Sequence, residues 1–425
     1  MEKRRIEESL SKAVGKRVKI KTREEVIEGL LVPSYESDVV LVKLKNGYNI
    51  GIAKKEIKHI EILGEVKKEK RTVKFKASKK EKIAVVVTGG TISSKVDYTT
   101  GAVSCLMEPA ELLELAPSIQ QVASLHVSSP FSVLSENYTP EHYRLLAEET
   151  CKLLNRQDIE GVIITHGTDT LHYTASLLSF VLKQLNKPVV FTYSQRSTDR
   201  GSSDATLNLE CAARAALSDI AEILVVGHAT LNDTYCLAIR GTHARKMHST
   251  RRDTFRPVNE LPIAKVWRDR IEIINHAYAK KDKTRRVIND FHWFDRVALL
   301  KFYPYADPKL IEYLFNQGYK GFIIEATGMG HVAIEGKRSW LPLLSKISKD
   351  AVICFTPQTL YGSLYSKVYA TARKLEKAGC LFLSMLPETA YMKLSYLLGK
   401  WQAKKLSLEE VKPVSYTHLT LPTKA

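Results

Sequence analysis

From Ile83 onwards, short apolar runs alternate with stretches of helical apolar spacing. Short continuous apolar runs are typical of strands buried on both faces, whereas a period near 3.6 is typical of helices. The predicted strands lie at 83–88, 161–165, 188–193, 222–227, 321–326 and 351–356. The predicted helices lie at 140–154, 171–185, 204–217, 308–317, 365–378 and 387–399. This alternation predicts an α/β fold with doubly wound parallel sheets.

The first 64 residues follow a different pattern. A charged, helical start is followed by short runs with a period of two, and Asn46-Gly47 between two of them is a strong hairpin signal. The runs are "RVKIKT", "VIEGLLVPSY", "VVLVKLKNGYNIGI" and "IKHIEIL". Several short strands that pair with one another predict a small SH3-like or Sm-like β-barrel ahead of the α/β part.

These changes of pattern divide the chain into four predicted segments. The segments are the barrel with its linker at 1–75, a large α/β lobe at 80–285, a smaller lobe at 290–410 and a tail at 411–425. The stretch 66–80 has eight Lys or Arg against one Glu, which favours a solvated linker over a specific binding site. We place the boundary between the lobes in the polar stretch 277–290, and we interpret the sequence from 415 as non-native.

The net charge of +18 is high for a soluble chain and indicates an anionic partner, most commonly nucleic acid. The alternative is the Lys-rich surface of a thermophilic protein, but Glu does not keep pace with Lys here. Six cysteines without a C-x-x-C spacing predict free thiols in a reducing cytoplasm and no zinc site. We expect no secretory signal and no membrane helix, since no apolar run approaches roughly 18–20 residues.

Two threonine-rich turns follow predicted strands and suggest a site. They read "TGGT" at 88–91 and "THGTDT" at 165–170. One side-chain oxygen is enough to cap the helix that follows a strand, so the other hydroxyls require another purpose. Ligands of doubly wound sheets bind at the carboxyl ends of strands, which is where both turns lie.

A threonine hydroxyl becomes a useful nucleophile only when a base takes its proton. Thr168-Asp169 supplies a hydroxyl and a carboxylate, and Lys246 lies in the basic segment 242–256. Repulsion from Arg245, Arg251 and Arg252 would favour the neutral form of Lys246, so we consider it a candidate base. The alternative is an ordinary surface lysine in a basic loop.

Other candidates are weaker. The Ser/Thr/Gly-rich stretch around Tyr98 suits a mobile lid, or an ordinary surface loop. Ser135-Glu136 either contacts a charged end of a substrate or caps the helix near Pro140. His166 and His172 are interpreted as structural. The chain lacks G-x-x-x-x-G-K-[ST], so we expect no ATP hydrolysis and no cofactor in this chain.

The ordered pair "TGGTI" (88–92) and "THGTDT" (165–170) resembles the two signatures of the L-asparaginase-type amidohydrolases, over roughly 83–400. With the barrel ahead of them, three further segments resemble the amidohydrolase subunits of archaeal tRNA-dependent amidotransferases. These segments are "SSDATLNL", "YCLAIRGTHARKMHSTRRDTF" and "LPETAYMKLSYLLG". The resemblance implies an asparaginase-like fold with a large and a small lobe.

The resemblance also implies roles for individual residues. Thr91 corresponds to the family's threonine nucleophile, and Tyr98 corresponds to its lid tyrosine. Thr168, Asp169 and Lys246 fall on a Thr-Asp-Lys relay. Four residues are predicted to bind the substrate: Gly90, Ser135, Glu136 and Gly167. Of these, Ser135 corresponds to the family's contact with the substrate carboxylate.

The implied activity is release of ammonia from glutamine, without a cofactor in this chain. The resemblance further implies a GatE-type partner subunit that binds Glu-tRNA(Gln) and uses ATP and Mg²⁺, with a homodimer of this chain inside a heterotetramer. Two alternatives remain at this point. One is a free asparaginase or glutaminase acting without tRNA, and the other is an RNA-binding protein that has kept the fold without catalysis.

Overall fold

A computed structural model gives the fold as three successive units: an N-terminal antiparallel sheet, a large α/β lobe and a small α/β lobe. The structure describes residues 2–34, 36–44, 49–65, 81–90, 92, 95–96, 103–104, 119–198 and 201–416. Among the described helices, none has the length and apolar character that crossing a bilayer requires.

The N-terminal unit is a five-stranded antiparallel sheet with one helix packed on it. Its elements are α1 (Glu2–Ala13), β1 (Lys16–Lys21), β2 (Val26–Val32), β3 (Val39–Lys43), β4 (Asn49–Ala53) and β5 (His59–Glu65). The strand order is β4-β3-β2-β1-β5, and Val18 and Ile20 of β1 share a core with Leu10 of α1. The predicted N-terminal β unit is confirmed, while Asn46-Gly47 lies outside the described residues.

The large lobe is built on an eight-stranded mixed sheet with helices on both faces. The main sheet contains β6 (Lys82–Val87), β9 (Ser124–Ser128), β10 (Ile159–Thr165), β12 (Val189–Thr192), β13 (Ile223–His228), β14 (Cys236–Arg240), β17 (Ala264–Val266) and β18 (Ile271–Ile273). Three separate two-stranded sheets pair β7 (Lys95–Val96) with β8 (Val103–Ser104), β11 (Leu182–Lys183) with β19 (Ile288–Asn289), and β15 (Ala244–Lys246) with β16 (Phe255–Pro257). The helices of the large lobe are α2 (Ile119–Val122), α3 (Pro140–Leu154), α4 (Leu171–Val181) and α5 (Ala205–Ala216).

The order of the main sheet is β18-β17-β14-β13-β12-β10-β6-β9. The five strands from β13 to β9 are parallel, as predicted, whereas β14, β17 and β18 add an antiparallel edge that the sequence did not predict. The strands β17 and β18 have three residues each, too few to show an apolar period. Helix α4 ends earlier than predicted because residues 182–183 pair with β19.

Burial on both faces explains the near-continuous apolar runs of the central strands. In β10, Val162 and Ile164 pack into the core that contains α3 and α4, and Ile163 packs into the core that contains α5. This alternation follows from the period of two in a strand. The carboxyl ends of β6 and β10 are therefore rigidly held side by side.

The small lobe is a parallel sheet in the order β20-β21-β22-β23 with flanking helices. Its elements are β20 (Val297–Lys301), α6 (Lys309–Asn316), β21 (Gly321–Ala326), α7 (Leu341–Ile347), β22 (Val352–Pro357), α8 (Ala370–Lys377), β23 (Leu381–Phe382), α9 (Pro387–Gln402) and α10 (Leu408–Tyr416). Helix α9 joins the lobes, since Leu394 and Leu398 share one core with Leu178 of α4 and Ile323 of β21.

The stretch 277–290, predicted as the boundary between the lobes, lies along the large lobe. Within it Lys281 Nζ donates to Glu160 Oε2 at 2.6 Å, and the strand β19 pairs with β11. At the other end of the chain, α10 includes Ser415, whose Oγ donates to Val411 O at 2.8 Å. The basic stretch 66–80 and residues 417–425 lie outside the described residues.

Candidate active site

The two threonine-rich turns meet at the carboxyl ends of β6 and β10. These strands are parallel neighbours, with Val87 opposite Thr165. Thr88 Oγ1 donates to Thr165 O at 2.7 Å, and Tyr138 Oη donates to Thr88 Oγ1 at 2.6 Å. Because β9 lies beyond β6 and β12 beyond β10, the chain changes direction across the sheet between them. Such a switch point is the usual place for a ligand in a doubly wound sheet.

Glycines allow the two turns to approach closely. Gly90 has a φ of +83°, and a Cβ at this position would lie 2.5 Å from Gly167 Cα. A Cβ at Gly167 would lie 2.7 Å from Ser135 Oγ. A side chain at either position would force the turns apart, so both glycines are required by geometry.

Substituting Gly90 with alanine is expected to destabilise the protein by about 2–4 kcal/mol, because left-handed strain and a clash with backbone add together. Urea unfolding measures this change in the free energy of unfolding. Gly336→Ala is the matched control, since Gly336 has a φ of +75° but nothing within 4 Å of its added Cβ. Equal losses in the two variants would show that strain alone, and not the approach of the turns, constrains Gly90.

Lys246 connects the second turn to the strand β15. Its Nζ donates to Thr168 Oγ1 at 2.9 Å and to Asp169 Oδ1 at 2.7 Å. The Lys246 side chain is 15% exposed and Asp169 is 64% exposed, so the amine is largely enclosed while the carboxylate faces solvent. A hydroxyl, an amine and a carboxylate in direct contact can move a proton along the group.

The predicted role of the neighbouring arginines is wrong. Arg245 Nη2 lies 3.2 Å from Glu388 Oε1, Arg251 Nε lies 2.9 Å from Asp253 Oδ1, and Arg252 Nη1 lies 2.8 Å from Asp233 Oδ1. Arg256 also pairs with Asp253. Each of the three predicted arginines thus has a carboxylate partner, with Asp253 shared between Arg251 and Arg256, so the arginines do not repel Lys246 as unpaired charges.

Ser135 lies beside the junction of the turns, in a 3₁₀ turn at Ser135–Asn137. It is 2% exposed, and its Oγ makes no hydrogen bond to any residue that the structure describes. A buried hydroxyl of this kind suits a polar group of a ligand. Glu136 is exposed. The alternative role in helix capping is wrong, because Thr139 caps α3 through a capping box with His142.

The two histidines differ in their surroundings. Both ring nitrogens of His166 have partners, Gly167 O at 2.7 Å and Thr174 Oγ1 at 2.8 Å, and burial lowers its pKa to about 4. Burial, followed by the charges of Arg245 and Lys246, lowers the pKa of His172 to about 3. His172 Nε2 lies 3.9 Å from Glu388 Oε1. Sequence reasoning missed Glu388, which lies in the "LPETAY" segment, since nothing local indicates its partner.

Thr91 and Tyr98, the predicted nucleophile and lid residue, lie outside the described residues. In sequence, Thr91 follows Gly90 directly, and Tyr98 lies between β7 and β8. Within the described ranges, no group of three or more His, Cys, Asp or Glu is arranged to hold a metal ion. The five cysteines in those ranges are free thiols: Cys151, Cys211, Cys236, Cys354 and Cys380.

Three family models cover most of the chain. The asparaginase N-terminal model matches residues 82–279, the glutaminase/asparaginase C-terminal domain matches 296–411, and the GatD N-terminal domain matches 12–63. The GatD protein of Pyrococcus furiosus, a component of glutamyl-tRNA(Gln) amidotransferase, is 45% identical over 407 residues, which cover 92% of this chain and 91% of that protein. The chain belongs to the GatD family of glutamyl-tRNA(Gln) amidotransferase subunits.

More distant members and solved structures agree with this assignment. The GatD protein of Sulfolobus acidocaldarius is 38% identical, with 96% of this chain and 90% of that protein covered. The thermostable L-asparaginase from Thermococcus kodakarensis has a TM-score of 0.71 and 25% identity, covering 80% of this chain and 98% of that chain. L-asparaginase I from Vibrio cholerae has a TM-score of 0.68 and 26% identity, with the same coverage. The predicted asparaginase-like fold is confirmed.

Proposed function

We propose that the chain is the glutaminase subunit of a tRNA-dependent amidotransferase. It releases ammonia from glutamine so that a partner subunit converts Glu-tRNA(Gln) to Gln-tRNA(Gln). Membership of the GatD family supports the reaction class. The observation that carries the chemistry is the contact of Lys246 Nζ with Thr168 Oγ1 and Asp169 Oδ1, at 2.9 Å and 2.7 Å.

The proposed reaction forms and then breaks a threonine ester. Thr91 Oγ1 attacks the side-chain amide carbon of glutamine, its proton passes to the leaving nitrogen, and the C–N bond breaks to release ammonia. Water then cleaves the ester, which returns the threonine and releases glutamate. Uncharged Lys246 takes the proton of Thr168 Oγ1 while Thr168 takes the proton of the attacking hydroxyl, and the proton then returns through the same chain to the leaving nitrogen or, in the second step, to Thr91 Oγ1. Asp169 orients the amine.

We propose that the buried Ser135 hydroxyl contacts the carboxylate of the substrate amino acid. Gly90 and Gly167 let the two turns approach closely beside this hydroxyl. Glu136, exposed in the same 3₁₀ turn, is assigned to the charged end of the substrate. Tyr98 is assigned to the lid that closes over it.

We propose that a GatE-type subunit supplies the chemistry that this chain lacks. Activation of the carboxylate of Glu-tRNA(Gln) requires ATP and Mg²⁺, and the sequence contains no phosphate-binding loop of the G-x-x-x-x-G-K-[ST] type. The net charge of +18 suits an assembly with tRNA. We assign the complex to the cytoplasm, where aminoacyl-tRNA is used.

We further propose a homodimer of this chain inside the complex. Tyrosines that follow β20 and β22 are more than half exposed, and the carboxyl ends of parallel strands lie at one edge of a sheet. They are Tyr303, Tyr305, Tyr361, Tyr365 and Tyr369, with 52–71% exposure. An exposed aromatic surface of this kind favours association, which sedimentation equilibrium measures.

Glutamine hydrolysis by the isolated chain is expected to be slow and to rise when the partner and Glu-tRNA(Gln) are added, because closure of the lid completes the site. Ammonia release from glutamine and from asparagine measures this, with uncharged tRNA as the control. The stimulation is expected to shrink as salt rises, because contacts with tRNA phosphates are screened.

The competing proposal is a free amidohydrolase that acts without tRNA. It predicts full-speed hydrolysis of asparagine or glutamine by the isolated chain, unchanged by partner, tRNA or salt. That result would contradict the amidotransferase proposal while leaving the roles of Thr168 and Lys246 open to separate tests.

A further inference from the structure

We infer that Glu388 is a positioning residue for Lys246 and acts through Arg245 across the interface between the two lobes. This inference rests on the proposed function, because it identifies what holds the base of that reaction in place. Glu388 touches none of the groups assigned to the reaction, so its role is indirect.

The geometry of β15 connects the two contacts. Arg245 and Lys246 are neighbours on this strand, so their side chains leave on opposite sides. Lys246 reaches the turn of the large lobe that carries Thr168 and Asp169. Arg245 reaches Glu388 in the first turn of α9, with Nη2 and Oε1 3.2 Å apart. A three-residue strand is therefore held from both sides, so we expect loss of the contact of Arg245 to displace Lys246.

The N-terminal end of helix α9 is held by hydrogen bonds to the large lobe, so Glu388 has a fixed position. The next residue, Thr389, donates from Oγ1 to Thr242 O at 3.0 Å and lies 2.9 Å from Ser176 Oγ on α4. The same helix thus holds the segment that leads into β15 at two points, Thr242 and Arg245. Glu388 is 7% exposed, and its Oε2 has no hydrogen-bond partner among the described residues, so Arg245 is the main counter-charge of a desolvated carboxylate.

The charges around β15 come from several elements. Asp169 lies on the side of Lys246, whereas the neutral His172 of α4 lies near both side chains, with its Nε2 3.9 Å from Glu388 Oε1. On the side of Arg245 is Glu388, whose pKa is raised, mainly by burial; the charge of Arg245 lowers it and that of Glu325 on β21 raises it. The paired strand β16 presents Phe255 opposite Lys246, and Arg256 of this strand pairs with Asp253. Arg245 and Glu388 thus form an ion pair next to Lys246, the proposed base.

The test measures kcat, KM and the pH profile of ammonia release by the full complex for Glu388→Gln, Arg245→Met and the double variant. Each single variant is expected to lower kcat by about 10²-fold, because a small misplacement of a catalytic group costs that much, with KM changed by less than about twofold. The acid limb of the profile is expected to move to lower pH in Glu388→Gln, where the charge of Arg245 is unbalanced, and to higher pH in Arg245→Met. In the double variant, the acid limb of the pH profile is expected to return to its wild-type position.

Two further variants separate positioning from stability. Arg245→Lys keeps the charge and is expected to keep the limb. Lys400→Met is the matched control, because Lys400 also lies on α9 and pairs with Asp290 at 2.8 Å, but at the far end of the helix. It is expected to reduce stability without changing kcat or the pH profile.

Shifts of the limb in the same direction for both single variants, unaltered kinetics, or the same kinetic loss in Lys400→Met would overturn the inference. An active wild-type complex with unaffected variants overturns this inference alone. A wild-type complex that releases no ammonia from glutamine overturns the proposed function and this inference together.

Discussion

Replacing Thr168 with valine is expected to lower the kcat of ammonia release by about 10⁴–10⁶-fold, the range seen when a member of a catalytic triad is removed. The substitution exchanges the hydroxyl for a methyl group of similar size, so the buried turn keeps its packing. Lys246 Nζ then loses the acceptor that lies 2.9 Å away and with it the path for the proton. Stopped assays of ammonia with the full complex measure the change, and circular dichroism checks the fold.

Thr150→Val is the matched control for this substitution. Thr150 is fully buried on α3, and its Oγ1 makes no hydrogen bond to the described part of the chain. We expect its activity to equal that of the wild type. Thr91→Ala is expected to be as inactive as Thr168→Val. Near-normal turnover in Thr91→Ala together with an inactive Thr168→Val would reverse the two roles and make Thr168 the nucleophile.

Substituting Lys246 with arginine is expected to lower kcat by about 10²–10⁴-fold although the positive charge is kept, because a guanidinium does not give up its proton and cannot act as a base. The planar fork of arginine also places its charge differently from an amine, so the contacts with Thr168 and Asp169 change. Measurement of kcat and KM separates the loss of a proton acceptor from weaker substrate binding.

Lys281→Arg is the control for the change of lysine to arginine. Lys281 is 16% exposed and pairs with Glu160 at 2.6 Å, close to the 15% exposure and 2.7 Å separation of Lys246 and Asp169, but it lies away from the two turns. We expect it to retain full activity. An active Lys246→Arg enzyme would reduce Lys246 to placing a charge and would contradict its assignment as a base.

The parts of the fold that the sequence predicted are those encoded by local patterns. Helix α3 has the predicted limits because Pro140 begins it and its apolar face is regular. The central strands were recognised because burial on both faces produces apolar runs. The short antiparallel edge strands were not, since three residues carry no period.

The turns of the candidate site could be predicted from the sequence, and the resemblance placed Lys246 with Thr168 and Asp169, but the ion pairs around Lys246 were missed. Thr168 and Asp169 are adjacent in sequence, and placing them at the end of a strand requires only the strand. Counting charges along 242–256 gave the wrong environment for Lys246, because Asp233 and Glu388 reach its arginines only after folding. No local pattern relates Glu388 to Arg245, since one lies on a small-lobe helix and the other on a large-lobe strand.

The most direct test of the account follows the amide nitrogen of glutamine. The chain is combined with its partner, ATP, Mg²⁺ and Glu-tRNA(Gln), and glutamine labelled at the amide nitrogen is added. We predict that the label appears in the glutamine attached to tRNA, and that a complex with Thr168→Val transfers none of it but still uses free ammonium. Transfer of label by the Thr168→Val complex, or a wild-type complex that takes nitrogen only from free ammonium, would contradict the account.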